Sequence, residues 1–402
     1  MPWRIVIDCR RLKDFGVGTY IRNFTRALAG IDPKNHYILV ARREDAAELA
    51  GLGANFETVV YDQPDSNARD NISFPVFLRR FRPDLSHIPH YEVPALLGKP
   101  YVVTVHDLSA LLYSPAEGWR HHLRIYQVRR GLLRAAKVIA VSAATRRDVE
   151  NLLGVAPERI RLIYNAPDPR FISDVTTAGA GTKEREAQRR HRERILERYQ
   201  INYPFVLYVG NIRPQKNVPR LVEAFAVLRG DLSDHPRFKD LRLIIIGDEI
   251  TRYPAVRLAV MHSRVEDVVR FLGFVPVDTL RVFYEAASAF AFPSLYEGFG
   301  LPPLEAMAAG TPVVTSNVSS LPEVVGDAAV VVNPENVFDI ARGLRDVLLD
   351  EELRATLIAR GYLQARRFDW RKTAHQVLDT YQEVLLPSAP APHSGQTAAT
   401  GS

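Results

Sequence analysis

The chain has 402 residues and a single cysteine, Cys9. No internal disulfide can form, which excludes a disulfide-stapled scaffold and suits a reducing compartment. Long hydrophobic runs are missing as well. The apolar stretches VVTV, LIIIG and AAVVV fall far short of the ~20 residues that cross a bilayer. The N-terminus, MPWRIVIDCRRL, lacks a basic region followed by a long apolar core, so no secretory signal is expected. An Asp-x-Asp pair is absent too. Asp62 and Asp65 have the wrong spacing, and APDPR offers Asp168 alone. These absences point to a cytoplasmic protein, one still able to touch the cytoplasmic face of a membrane as a peripheral protein.

What is present is ordinary globular material. Hydrophobic residues make up 47% and charged residues 24%, as in soluble domains. The length suggests two domains of roughly 150–200 residues. The net charge of +6 fits an anionic ligand, an anionic membrane surface or nucleic acid, and chooses none of them. The charged run over 183–198 lacks aromatics that could stack on bases, so it reads as a solvated helix and not a nucleic-acid arm.

Short β-rich runs alternate with amphipathic segments. Strands are expected at 4–8, 36–41, 56–61, 85–89, 101–107, 138–142 and 161–165, then at 205–210, 241–247, 268–273, 287–293, 311–316 and 328–333. The runs are continuously apolar, which marks strands buried on both faces of a parallel sheet. The pattern appears twice, giving an α/β fold of two doubly wound, Rossmann-like domains. The expected division is 1–170, a linker and charged helix over 171–200, a second domain over 201–369, an amphipathic helix over 370–386 and a disordered tail over 387–402. Doubly wound sheets bind ligands at the carboxyl ends of their strands, so the cleft between the domains is the natural site.

Four motifs fall at such strand ends. YVGNIRPQKN (208–217) ends an apolar strand and opens a helix, with Arg213 and Lys216 in the loop. Two cations beside a helix N-terminus suit phosphate, or are exposed loop residues. SLYEGFGLPPLEAMAAG (294–310) brackets glycine and proline between Glu297 and Glu305. Gly298 and Gly300 allow close approach of backbone to a ligand, Pro302 and Pro303 open a helix, and Glu305 falls in its first turn. A charge favoured by the helix dipole explains Glu305 alone, but not Glu297 or the glycines. Carboxylates that accept from neighbouring sugar hydroxyls, beside free NH groups that meet phosphate, describe a nucleotide-sugar site. In YVVTVHDLSALL (101–112), His106 and Asp107 end a strand; His106 is either a ligand contact or a satisfied structural histidine. In DFGVGTYIRNF, Gly16 and Gly18 precede a helix, as a ligand loop or a tight turn.

Together these motifs resemble the retaining glycosyltransferases of the GT-B fold, glycosyltransferase family 4, over roughly residues 4–386. The strongest element is E-x7-E, Glu297 to Glu305 in EGFGLPPLE, followed by AMAAGTPVVTSNVSSLPEVVGDAA. YVGNIRPQKN, LIIIGD, VRFLGFV, VTVHDLS, KVIAVSAATRRDV and RLIYNAPDP support it. The phrasing is most similar to mannosyltransferase-like members that build bacterial surface polysaccharides, lipopolysaccharide among them. The resemblance implies that the second domain holds a nucleotide-diphosphate sugar, with GDP-mannose the first candidate and UDP-sugars behind it. Lys216 and Arg213 would neutralise the diphosphate, although Asn211 stands where some members carry an arginine. Glu305 would hold the ribose, Glu297 the donor sugar, and NH groups around Phe299, Gly300 and Leu301 the sugar or phosphate. His106 would reach across the cleft to a donor hydroxyl, and Gly16 and Gly18 would lie near the diphosphate and acceptor. The terminal helix would cross back to the first domain, which binds the acceptor.

The implied enzyme is a retaining hexosyltransferase with no cofactor and no metal, because cations and a helix replace the metal in this scheme. Its acceptor would be a glycan or a polyprenyl-diphosphate-linked sugar. Arg79, Arg80, Arg82, Arg120, Arg124, Arg129, Arg130 and Arg134 either solubilise the first domain or dock it on an anionic inner leaflet. The alternatives are a sugar-nucleotide epimerase or phosphorylase of the same fold, or a non-catalytic nucleotide- or glycan-binding subunit.

Overall fold

A computed structural model describes residues 2–63, 69–113, 118–172, 182–248 and 250–386. Asp65 and the expected disordered tail lie outside the described residues. The first sheet contains β1 (Arg4–Asp8), β2 (His36–Ala41), β3 (Phe56–Val60), β4 (Leu85–Ile88), β5 (Tyr101–Val105), β6 (Lys137–Ala140) and β7 (Ile160–Leu162). Its order is β3-β2-β1-β4-β5-β6-β7, with every pairing parallel. The second contains β8 (Phe205–Gly210), β9 (Arg242–Gly247), β10 (Val269–Gly273), β11 (Ala289–Phe292), β12 (Val313–Ser316) and β13 (Ala329–Val332). Its order is β10-β9-β8-β11-β12-β13, again all parallel.

Each expected strand is present; β1, β2 and β8 keep the expected ends, and the others are shortened or shifted by one to three residues at an end. The reason is burial. All five residues of β5 are buried, as are the four central residues of β9, so these runs can be apolar throughout. Helices cover both faces of each sheet through separate apolar clusters. The charged run forms the helix Thr182–Arg198.

The helix Trp370–Leu385 returns to the first domain. Trp370, Ala374, Val377 and Tyr381 form a helical stripe buried with Ile5, Ile7, Tyr20 and Phe24. Asp369 caps the helix by accepting from the Lys372 amide at 3.0 Å. The Tyr381 hydroxyl lies 2.6 Å from His87 Nδ1, and His87 Nε2 lies 2.8 Å from Thr104. Burial, reinforced by His106, pushes His87 down to about 3, so this joint stays uncharged at neutral pH.

The strand order of each sheet reverses at one point. In the first, the chain departs to opposite sides from β1 and β4; in the second, from β8 and β11. Such switch points leave a crevice outside the carboxyl ends of the two strands.

Candidate functional site

The second crevice gathers most of the expected residues. Strand β8 ends at Gly210, and the loop after it makes a short turn over Pro214–Lys216. Asn217 then adopts a left-handed conformation (φ 59°) and begins the helix Val218–Asp231. Its side chain does not cap that helix. It donates instead to the carbonyls of Pro293 (3.0 Å) and Pro334 (2.7 Å), tying the loop to the end of β11. Lys216 is thereby aimed across the switch point. Its Nζ donates to both carboxylate oxygens of Glu297, at 2.6 and 2.8 Å, and lies 5.6 Å from the Phe292 ring centroid. The two side chains are 17% and 10% exposed, so the pair is largely withdrawn from water yet open to a ligand.

The loop carrying Glu297 is fixed from behind. Ser319 and Ser320 donate to the Glu297 carbonyl at 2.5 and 2.9 Å, and Ser320 is also 2.8 Å from the Phe299 carbonyl. Gly300 takes φ 106° at the start of the helix Leu301–Ala308. No side chain caps this helix, and Pro302 and Pro303 remove two of its first amides. Among the described residues, the N–H groups of Gly300 and Leu301 have no hydrogen-bond partner. They face the positive end of the helix dipole and suit an anion.

Glu305 sits at the fifth position of that helix, in the second turn and not the first. The helix begins immediately after the left-handed Gly300, one residue before the prolines, which moves the carboxyl deeper. It is 9% exposed and accepts from the Tyr284 hydroxyl at 3.1 Å. Burial raises it to about 7, although Tyr284 pulls the other way. Arg213 lies on the exposed rim of the same loop.

Two further expectations are revised. Gly16 and Gly18 do not precede a helix; they lie in the first turn of the helix Phe15–Ala29. A Cβ on Gly18 would sit 2.0 Å from the Leu12 carbonyl, so its smallness serves packing, whereas Gly16 faces open space. The close approach at Gly298 is made to protein. A Cβ there would lie 1.7 Å from the His106 carbonyl. The two domains meet at this point, reinforced by Thr145 Oγ1 donating to the Gly298 carbonyl at 2.9 Å and the Tyr296 hydroxyl to Asp148 at 2.6 Å.

His106 follows β5 at this junction. Its ring packs edge-on against Tyr20 at 4.8 Å and is held by the Pro89 carbonyl, leaving Nε2 without a partner. Burial lowers it to about 4, so it is neutral at pH 7. Sequence reading missed the supporting residues Asn217, Tyr284, Tyr296, Ser319 and Ser320. Only the left-handed turn at Asn217 has a local signal; the others act on partners distant in the chain.

The crevice thus offers a cation, two carboxylates of different character, an uncapped helix N-terminus and a neutral imidazole at its edge. The glycosyltransferase family 4 pattern matches residues 16–171, and the pattern of glycosyl transferases group 1 matches residues 191–364. The chain is 32% identical over 309 residues to the O-antigen chain mannosyltransferase B of Escherichia coli, covering 76% of each protein. This chain belongs to glycosyltransferase family 4. The glycosyltransferase is also 31% identical over 256 residues to the serotype-specific mannosyltransferase WbdA of Escherichia coli, 63% of this chain and 30% of that longer protein. Its fold matches sucrose-phosphate synthase from Thermosynechococcus elongatus with a TM-score of 0.73 at 21% identity, over 95% and 98% of the two chains. The architecture is therefore GT-B. Among the described residues of the glycosyltransferase, no group of His, Cys, Asp and Glu could hold a metal ion, and no helix is long and apolar enough to span a membrane.

Proposed function

We propose that this glycosyltransferase is a retaining, metal-independent mannosyltransferase that takes mannose from GDP-mannose and passes it to a glycan or lipid-linked acceptor in the assembly of a surface polysaccharide. The observation that carries the site is the Lys216–Glu297 pair at the switch point of the second sheet, beside the uncapped helix start at Gly300 and Leu301. The mannosyltransferase names of the Escherichia coli relatives support the choice of sugar.

The chemistry follows from charge. Breaking the sugar–phosphate bond leaves positive character on the sugar and added negative charge on the nucleotide diphosphate. Lys216, Arg213 and the helix N-terminus stabilise that charge, so no acid need protonate the leaving group. Glu297, released from Lys216 as the diphosphate takes its place, turns to the donor sugar, and His106 contributes its unpartnered Nε2 to a sugar hydroxyl. Glu305 in its ionised form accepts from the ribose hydroxyls. The acceptor attacks on the face the diphosphate leaves, and the leaving phosphate takes its proton. No covalent bond to Glu297 forms.

Docking of the first domain on an anionic membrane face belongs to this reading. The helix Trp119–Arg134 exposes Trp119, Leu123, Tyr126 and Leu133 along one side, has no acidic residue and carries Arg129 and Arg130. Arg124 and Arg134 are used inside the protein, by Glu92 and the Ala95 carbonyl.

Nucleotide release tests the proposal. Purified protein is given GDP-mannose, UDP-glucose, UDP-N-acetylglucosamine and dTDP-rhamnose in EDTA, with and without a lipid-linked acceptor, and the product's anomeric configuration is read by NMR. GDP-mannose turnover with retention is expected. Turnover of another donor would reassign the sugar, release without any acceptor requirement would favour an epimerase, and no binding of any donor would favour a non-catalytic subunit.

A further inference from the structure

Glu297 and His106 stand on different domains, so neither sheet fixes one against the other. The residues beside Glu297 do. The Tyr296 hydroxyl donates to Asp148 Oδ2 at 2.6 Å and accepts from the Leu108 amide at 3.3 Å, two residues after His106. Burial and the Asp148 carboxylate push the Tyr296 phenol well up, so it stays a donor at any working pH. On the other side, the Gly298 carbonyl accepts from Thr145 Oγ1 at 2.9 Å, and Gly298 has no room for a side chain against the His106 carbonyl. Both neighbours of Glu297 are therefore tied to the first domain, while its own carboxylate bonds to Lys216.

A second tie runs through the backbone. The Glu297 amide donates to Ser319 Oγ at 3.2 Å, and Ser319 and Ser320 hold its carbonyl. The helix Leu321–Val325 follows at once, and its Glu323 reaches the first domain. Both Glu323 oxygens accept from the Ala143 amide at 3.0 Å, and one accepts from the Tyr164 hydroxyl at 2.6 Å. Ala143 opens the helix Ala143–Leu153, so its amide is one of the free donors of a helix N-terminus and favours a carboxylate. Ala143, Thr145 and Asp148 are the first, third and sixth residues of that helix. Contacts that only held the domains together could fall anywhere along the interface. These fall on the residues beside Glu297 or on the short helix that follows its clamp.

We infer that the first two turns of the helix Ala143–Leu153 position Glu297 for the transfer step, with Thr145, Asp148 and Glu323 as positioning residues that set it in register with His106. The inference rests on the transferase reading and adds to it the contacts that align the two halves of the site.

Turnover by the full chain tests this, with GDP-mannose or whichever donor of the panel above is accepted, read as nucleotide release with a lipid-linked acceptor. Tyr296→Phe keeps the ring and removes the hydroxyl. This variant, Asp148→Ala and Glu323→Ala should each lower kcat by about tenfold, the scale of a misplaced catalytic group, while KM and nucleoside diphosphate affinity stay within about twofold. Asp148→Asn and Glu323→Gln keep an accepting oxygen and should hold kcat within about threefold of wild type. Tyr296→Phe combined with Asp148→Ala should cost no more than either alone, because both break one bond. Unchanged kcat in Tyr296→Phe and Glu323→Ala would overturn the inference, as would a loss carried by KM and nucleotide affinity, or amide variants as poor as the alanines.

If the wild type turns over no donor, the transferase reading falls and a distance decides the register instead. Cys9 is buried, so spin labels can be placed selectively by Leu152→Cys and Phe338→Cys, exposed positions on the two domains. A narrow distance distribution that broadens in Asp148→Ala with Glu323→Ala, and stays narrow in the two amide variants, is expected. Any other pattern overturns the inference.

Discussion

Replacing Glu305 by glutamine should separate stability from function in opposite directions. The carboxyl is buried, and its ionisation is pushed from the usual 4.5 up to about 7, chiefly by burial. Between those values the folded chain binds a proton that the unfolded chain has released. Stability from the protonated carboxyl is complete below pH 4.5 and is lost as pH rises through 7. A shift of this size corresponds to about 3 kcal/mol. Glutamine cannot ionise, and its carbonyl can still accept from Tyr284. Calorimetric melting of wild type and Glu305→Gln at pH 5 and pH 8 reads the difference. The wild type should lose roughly 6–12 °C relative to the variant over that interval, taking about 2–4 °C per kcal/mol for a domain of this size. Donor binding should run the other way. Ribose hydroxyls need the ionised form, so GDP affinity of the wild type should rise by about tenfold from pH 6 to pH 8, in step with the ionised fraction. The variant should bind weakly with a flat pH profile. Parallel melting curves and parallel binding profiles would refute both the buried carboxylate and its role.

Lys216→Ala removes the ion-pair partner of Glu297 and the charge nearest the proposed leaving group; turnover should fall at least about 100-fold in a nucleotide-release assay, with about 3–5 kcal/mol of stability lost from the broken pair. Gly298→Ala places a methyl group against the His106 carbonyl, so the domains must separate; kcat should drop more than about tenfold while GDP binding by calorimetry persists. Trp119→Ser with Leu123→Ser should reduce co-sedimentation with vesicles rich in phosphatidylglycerol, and unchanged sedimentation would remove this helix from the membrane face.

The strands were legible because two-sided burial writes itself as a continuous apolar run, as in YVVTV and RLIIIG. The candidate donor residues were legible as types, since glycine, proline and glutamate in EGFGLPPLE signal both backbone shape and charge. What pairs with what was not. Lys216 and Glu297 are 81 residues apart, and Asn217 reaches Pro334 over 117. Local rules also misplaced two features. Glycines in a helix start look like a loop, yet Gly18 is there because Leu12 leaves no room for a side chain. Paired prolines look like a helix opening, yet Gly300 begins the turn earlier and carries Glu305 into the protein. A centre built from Asp8, Arg10, Asp70 and His90 has no local signature, because its members come from three segments that only the sheet topology joins.

A crystal structure of the chain with GDP-mannose tests the central claim most directly. The account predicts the diphosphate between Lys216 and the amides of Gly300 and Leu301, Glu297 parted from Lys216 and turned to the sugar, and the ribose on Glu305. A nucleotide bound away from the β8–β11 switch point, or bound there with the Lys216–Glu297 pair intact, would contradict it.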